Sequence, residues 1–317
     1  MLENNRIIGN NGFKYRVNTN WGIPPTGTYP VNDCHEMVMA KNGLLYLLTN
    51  ETQNNILVYN KDGTVVNSWG TTYPGAHGLT LSNEGGEEFL YITDTERHQV
   101  IKTTLSGREL MVLDFPKEIL LYTSADEYKP TETAIAPNGD IYVTDGYGHQ
   151  FVIQYDSKGK YIRHWGGRGD GPYQFDCVHG VAIDYRKAKP TLLLTSRNHN
   201  ALKRFTMDGQ YLDVINLPGS FICRPVISGN NIYGAVFRSE RNDNSGSGYI
   251  TIIDENDRVV STPGGTEPVY ADNILQPQKK ADDTFIHPHD VCVDRDENLY
   301  IPQWKSNKTY PLLLERV

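Results

Sequence analysis

Four of the nine histidines, His35, His77, His179 and His289, stand at one place in a repeated pattern. The six copies run His35-Glu36-Met37-Val38-Met39-Ala40, His77-Gly78-Leu79-Thr80-Leu81-Ser82, Thr131-Glu132-Thr133-Ala134-Ile135-Ala136, His179-Gly180-Val181-Ala182-Ile183-Asp184, Cys223-Arg224-Pro225-Val226-Ile227-Ser228 and His289-Asp290-Val291-Cys292-Val293-Asp294. In each, a marker residue leads into a strand-like run. If six such units surround one axis, His77, His179 and His289 belong to alternate units, about 120° apart in a six-fold ring. Three imidazoles so placed form the base of a tetrahedron with an open apex, the ligand set of a catalytic zinc site whose fourth position takes water or substrate. Other divalent first-row metals accept the same donors. The same placement also suits a ring of hydrogen-bonded channel histidines that fixes waters. His35 fits a supporting position or a water ligand better than a fourth metal ligand. Cys177, two residues before His179, and Cys223, on a marker position, could face the channel as thiolate ligands, although buried inert thiols are commoner.

A repeat of about 48 residues positions these groups. Trp21-Gly22 and Trp69-Gly70 stand 48 residues apart, and Trp165-Gly166 follows 96 residues later, twice that period. Each pair ends a strand-like run, and Asn60-Lys61-Asp62-Gly63, Asp156-Ser157-Lys158-Gly159 and Met207-Asp208-Gly209 supply hairpin turns. Asp and Gly give such turns their local side-chain bonding and positive φ. Strands are expected over Leu44–Leu48, Phe89–Thr93, Asp140–Thr144, Thr191–Thr195, Ile232–Val236 and Asn298–Pro302. Six units of four short strands predict an all-β fold, a six-bladed β-propeller occupying residues 1–317 as a single domain. The run Phe13–Trp21 reads as a fourth strand and Pro311–Val317 as a third, so the N-terminal strand is expected to complete the last blade and cover its edge. The least regular units are the third, with a long lead-in at Asp114–Lys129, and the fifth, with the polar insert Ser239–Gly248.

Composition agrees. The chain has 29 Gly and 20 Tyr in 317 residues, and Leu/Ala/Glu/Lys helical stretches are almost missing. A formal charge of −8, dispersed along the sequence, argues against nucleic-acid and membrane surfaces. No window reaches the length of a membrane-spanning helix. Four cysteines make no disulfide scaffold. The start Met1-Leu2-Glu3-Asn4-Asn5-Arg6 has no apolar run, so the expected compartment is the cytoplasm, or the periplasm or exterior if a leader has been removed. A closed ring needs no partner, so a monomer acting on a small-molecule substrate is expected. Gly166-Gly167-Arg168-Gly169-Asp170-Gly171 runs into Pro172 with no helix behind it, and reads as a loop between blades rather than a phosphate cradle.

Pro74-Gly75-Ala76-His77-Gly78-Leu79, Ile141-Tyr142-Val143-Thr144-Asp145-Gly146-Tyr147, Gln174-Phe175-Asp176-Cys177-Val178-His179-Gly180 and Pro288-His289-Asp290 resemble peptidyl-α-hydroxyglycine α-amidating lyase and its NHL-type relatives. The resemblance covers most of the chain and is clearest from Thr131 to Phe205. It implies a metal-dependent lyase, with zinc on His77, His179 and His289, a catalytic tyrosine at Tyr147 and an active-site arginine at Arg197. It further implies a structural calcium on the carbonyls of Met37 and Leu79 and the carboxylate of Asp290, oxygen ligands that a hard cation requires. Two positions depart from the family. Asn50 stands where the family has a second arginine, and His287 where it has a methionine. Two residues from His289 on a strand is the same face, so His287 is a candidate ligand or acid/base. The substrate expected is small and α-hydroxylated or sugar-like. The other readings are a non-enzymatic NHL-type module binding a protein or glycan, and a propeller sugar-acid lyase or hydrolase.

Overall fold

The computed structural model describes residues 4–240 and 246–317; part of the Ser239–Gly248 insert, residues 241–245, lies outside them. Among the described residues there is no α-helix, and only two single 3-10 turns, Ala125–Glu127 and Arg197–His199. Six antiparallel sheets of four or five strands follow one another along the chain, with a small two-stranded ribbon, Tyr270–Ala271 with Ile274–Leu275, between the last two. We number the blades by their innermost strands: Cys34–Met39 in blade 1, Ala76–Glu84 in blade 2, Glu132–Ile135 in blade 3, Val181–Asp184 in blade 4, Phe221–Ser228 in blade 5 and Cys292–Val293 in blade 6. The fold is the six-bladed β-propeller that the repeat predicts.

Blades 1 to 5 have four strands each. Blade 6 has five, because Phe13–Asn18 pairs with Leu312–Arg316 and Ile7–Asn10 adds an outermost strand. The N-terminal strand therefore closes the ring. The extra strand was not expected, yet Asn11-Gly12 between the two N-terminal strands has positive φ at both residues, 46° and 84°, as a two-residue hairpin turn demands.

The 48-residue period has a packing cause. Trp69 ends blade 1 and its Nε1 donates to Leu105 O of blade 2 at 3.1 Å. Its ring lies over Gly107 at the blade 2 turn, where a Cβ would come within 2.6 Å of the indole. Trp165 covers Gly209 of blade 4 in the same way, and Trp21 covers Gly63 of blade 1. Each tryptophan thus seals one blade against the next hairpin, and a turn with φ near +90° and no side chain makes room for it. Between blades 2 and 3, Met111 and Leu113 do this work over Gly159. The buried aliphatic and aromatic clusters lie between successive blades, such as Leu48, Ile56, Tyr73, Leu90 and Ile92 between blades 1 and 2.

Candidate metal centre

All six markers sit at or just before the start of an innermost strand, at one mouth of the central channel. Pairing is irregular there in three blades: the register shifts between Cys34 and Glu36, between Ala76 and Leu79, and between Ile222 and Pro225. Such bulges re-aim side chains, so two successive residues can both face the axis. The chain therefore builds two stacked layers in the channel. The markers His35, His77, Thr131, His179, Cys223 and His289 form the upper layer, and the residues after them form the lower.

The three expected ligand rings converge. Their centroids are 4.8 Å apart for His77–His179, 5.0 Å for His77–His289 and 5.0 Å for His179–His289. His35 lies 4.9 Å from His77 and 4.8 Å from His289. Donor atoms come within 4.8 Å of one another in two triplets, His35–His77–His289 and His179–Cys223–His289. His289 is common to both, but the expected trio His77, His179 and His289 is not one of them: His77 and His179 fall in different triplets.

Each expected ligand is held the same way. Nδ1 of His77 donates to Thr131 O at 2.9 Å, that of His179 to Cys223 O at 3.0 Å, and that of His289 to His35 O at 3.1 Å. The acceptor is always the marker carbonyl of the next blade bearing one. This bond fixes the tautomer, places the proton on Nδ1 and leaves Nε2 as a lone pair, the arrangement a metal-bound imidazole uses. Two glycines permit it. A Cβ on Gly78 would meet Thr131 O at 2.5 Å, and one on Gly180 would meet Cys223 O at 2.6 Å. The His-Gly pairs are thus a histidine and the space for the carbonyl that orients it.

Burial makes the cluster electrically neutral. It holds His77, His179 and His289 well below the ordinary imidazole range, and neighbouring positive charge adds to the effect. Burial lowers His35 to about 3. It raises the Cys223 thiol to about 12, so the sulfur stays protonated without a cation beside it. His35 Nδ1 is buried without a hydrogen-bond partner. Either triplet, with its neutral imidazoles, and the orphaned His35 nitrogen offer donors of the kind a divalent first-row cation takes.

Tyr147 leans over this layer. The residue is 40 % exposed, but its hydroxyl lies 3.1 Å from His77 Nε2 and 3.0 Å from His179 Nε2. One hydroxyl hydrogen cannot serve both acceptors. Arg197 Nη1 donates to the same oxygen at 3.4 Å. Burial pushes the phenol up to about 12, while the Arg197 charge pulls against it. The Arg197 guanidinium stacks 4.7 Å from the Phe237 ring, whose centroid is 4.8 Å from Arg238 Cζ.

Two cavities flank Tyr147 and Trp304, which line both. One, ≈ 210 Å³, is bounded by Arg197, Phe237, Arg238 and His289. The other, ≈ 400 Å³, is bounded by His35, His77, Asn50, Thr95 and Glu96. Larger spaces lie elsewhere, ≈ 820 Å³ between the outer parts of blades 4 and 5 and ≈ 430 Å³ at the opposite channel mouth, but the histidine ring lines neither.

His287 is buried in the wall, its ring 5.7 Å from Trp304 and 6.4 Å from Phe237, and belongs to neither donor triplet. Residues 285–291 precede the strand Cys292–Val293, so strand alternation does not bring His287 alongside His289. Cys177 is buried with φ of 61°, outside both triplets. Met37 O, Leu79 O and the Asp290 carboxylate do converge, but on the guanidinium of Arg224: Nη2–Met37 O 3.5 Å, Nη1–Leu79 O 3.1 Å, Nε–Asp290 Oδ1 2.7 Å and Nη2–Asp290 Oδ2 2.9 Å. The oxygens expected to hold calcium thus all accept from one guanidinium in this structure.

Comparison with known proteins agrees with this architecture. A sequence profile for a family described as a 6-bladed beta-propeller matches residues 133–267. Peptidyl-glycine alpha-amidating monooxygenase of Mus musculus is 24 % identical over 75 % of the chain, which spans 23 % of that protein's length. Probable peptidyl-alpha-hydroxyglycine alpha-amidating lyase of Caenorhabditis elegans is 30 % identical over 36 % of the chain and 31 % of its own length. Other relatives are named NHL repeat-containing proteins. Among solved structures, a streptogramin B lyase superposes with a TM-score of 0.59 over 92 % of this chain and 95 % of its own, at 16 % identity, which speaks to the fold alone. Repeat, ring closure and relatives converge on the fold: the chain is a six-bladed β-propeller, similar in sequence to α-amidating lyases and to NHL repeat-containing proteins.

Proposed function

We propose that the protein is a zinc-dependent lyase acting on a small α-hydroxylated substrate at this channel mouth. The carrying observation is the coincidence of three Nδ1-anchored imidazoles with one tyrosine hydroxyl within 3.1 Å of two free Nε2 atoms. His77, His179 and His289 would hold the cation, with His35 and Cys223 beside them. A zinc ion bound there supplies a Lewis acid for a substrate hydroxyl.

The chain's own residues do the rest. Tyr147 sits at the open side, where its oxygen can take the proton of a substrate hydroxyl once the phenol is ionised. Arg197 favours that phenolate through its bond to the same oxygen, against the burial that opposes it. When a carbinolamide loses its hydroxyl proton, the C–N bond breaks, the former alcohol carbon becomes a carbonyl, and the amide nitrogen leaves with the proton. Tyr147 is placed to return that proton. Arg197 and Arg238 line the smaller cavity with no carboxylate among its lining groups, which suits a negatively charged part of the substrate. Asn50, Thr95 and Glu96 in the larger cavity favour a second, sugar-like hydroxylated substrate class over a peptide chain end at that side.

The test is direct. Zinc-loaded protein is mixed with an N-acyl-α-hydroxyglycine, and release of glyoxylate and amide is followed. Zinc-dependent release above the spontaneous rate supports the proposal. A protein that binds zinc stoichiometrically and accelerates neither this reaction nor elimination from α-hydroxylated sugar acids would be a binding module instead.

A further inference from the structure

The layer beneath the histidines holds Glu36, Gly78, Glu132, Gly180, Arg224 and Asp290, the residues that follow the six markers. Arg224 enters from blade 5 and reaches four other blades. It bonds Met37 O and Glu36 of blade 1, Leu79 O of blade 2, Glu132 of blade 3 and Asp290 of blade 6; the ion-pair distances are 2.9 Å to Glu36 Oε2 and 3.1 Å to Glu132 Oε2. The carboxylates are bound in turn to the strands beside them. Asp290 Oδ2 accepts from Met37 N at 3.0 Å, Glu36 Oε2 from Leu79 N at 2.6 Å, and Glu132 Oε1 from Thr80 Oγ1 at 2.9 Å. Gly180 of blade 4 leaves room for it: a Cβ there would come within 2.5 Å of Arg224 Cα and Cβ.

We infer that Arg224 is a built-in replacement for an axial metal ion, and that this propeller closes without calcium. Carbonyl and carboxylate oxygens from several blades are what a hard cation would use to tie blades at the axis. Here they meet five fixed N–H donors instead. A guanidinium and a calcium ion cannot share those oxygens. The tether also changes the thermodynamics. An ion's contribution depends on its free concentration, whereas a side chain is always present. The inference stands apart from the zinc reading, since it concerns a different layer and different donors.

The experiment uses protein stripped of metals, reloaded with zinc alone, and then given millimolar calcium while unfolding is followed by calorimetry and calcium binding by titration. The expected result for the wild-type protein is no calcium binding and no shift in Tm. A calcium site saturated 100-fold above its Kd would raise Tm by about 4 °C in a chain this long, and such a rise overturns the inference. Arg224→Ala removes the guanidinium and leaves three buried carboxylates facing one another; its Tm is expected to fall by about 5 °C or more, with calcium now binding and restoring part of the loss. An Arg224→Ala protein as stable as wild type without calcium also overturns it. If that variant does not fold, the wild-type titration decides alone.

Discussion

Zinc should raise the melting temperature of this protein, and removal of His179 should abolish that rise. A ligand present at 100 times its Kd stabilises the folded state by about 2.7 kcal/mol. Unfolding entropy near 2.1 cal/mol/K per residue amounts to about 0.7 kcal/mol/K for a chain of this length. The zinc increment is then about 4 °C. His179 is 1 % exposed and its Nδ1 holds Cys223 O, so His179→Ala also leaves a cavity and an unpaired carbonyl. Together these cost about 2–4 kcal/mol, or about 3–6 °C in the metal-free protein. The two effects separate: the metal-free Tm reports the cavity, and the zinc increment reports the ligand. Calorimetry with and without zinc, paired with elemental analysis, reads both. His149→Ala, on the rim, is the control and should keep the whole increment. A wild-type protein with no zinc increment, or a His179→Ala variant that keeps all of it, would refute the assignment of these rings as ligands.

Other consequences are as specific. Gly180→Ala should displace the Cys223 carbonyl that a Cβ would crowd, and weaken zinc binding by about 10–100-fold in a competition with a chelating dye; unchanged affinity would break the link between the His-Gly pairs and ligand orientation. Tyr147→Phe should keep its zinc but lose about 10²–10⁴ in kcat in the lyase assay; an unaltered kcat would remove the hydroxyl from the chemistry. In metal-free protein the four channel histidines are held neutral by burial. The unfolded chain takes up protons below pH 6.5 that the folded one refuses, so stability should decline as pH falls from 6.5, by up to about 1.4 kcal/mol per pH unit for each histidine. For His35 the loss continues down to about pH 3. Urea midpoints between pH 7 and 5 measure this, and a flat profile would mean the rings are already charged when folded.

The propeller was legible because two kinds of residue repeat for packing reasons, Trp over a hairpin glycine and, in every blade, a marker at one mouth of the channel. The histidine cluster was legible because four of the six markers are histidine, three of them in alternate blades. The lower layer was harder to see. In a regular strand neighbouring side chains face opposite ways, so Glu36, Arg224 and Asp290 read as turned from the axis; the bulges at Cys34–Glu36 and Ile222–Pro225 reverse this for blades 1 and 5. A charged residue after the marker in four of six copies was the available signal. His287 is the opposite case: strand alternation would set it beside His289, but the chain is not a strand there. The outermost strand Ile7–Asn10 is announced in the sequence only by Asn11-Gly12, a two-residue hairpin signature.

The pairing of Phe13–Asn18 with Leu312–Arg316 also sets an order of events. These strands are almost as distant in sequence as any two can be, so their meeting is among the slowest contacts to form. Blades 1 to 5 can assemble from neighbouring segments, but blade 6 awaits both halves. His289 belongs to that blade, and its anchoring carbonyl, His35 O, lies across the seam in blade 1. An open ring therefore carries a scattered donor set, and capture of a cation during refolding would serve as a clock for the moment the circle shuts.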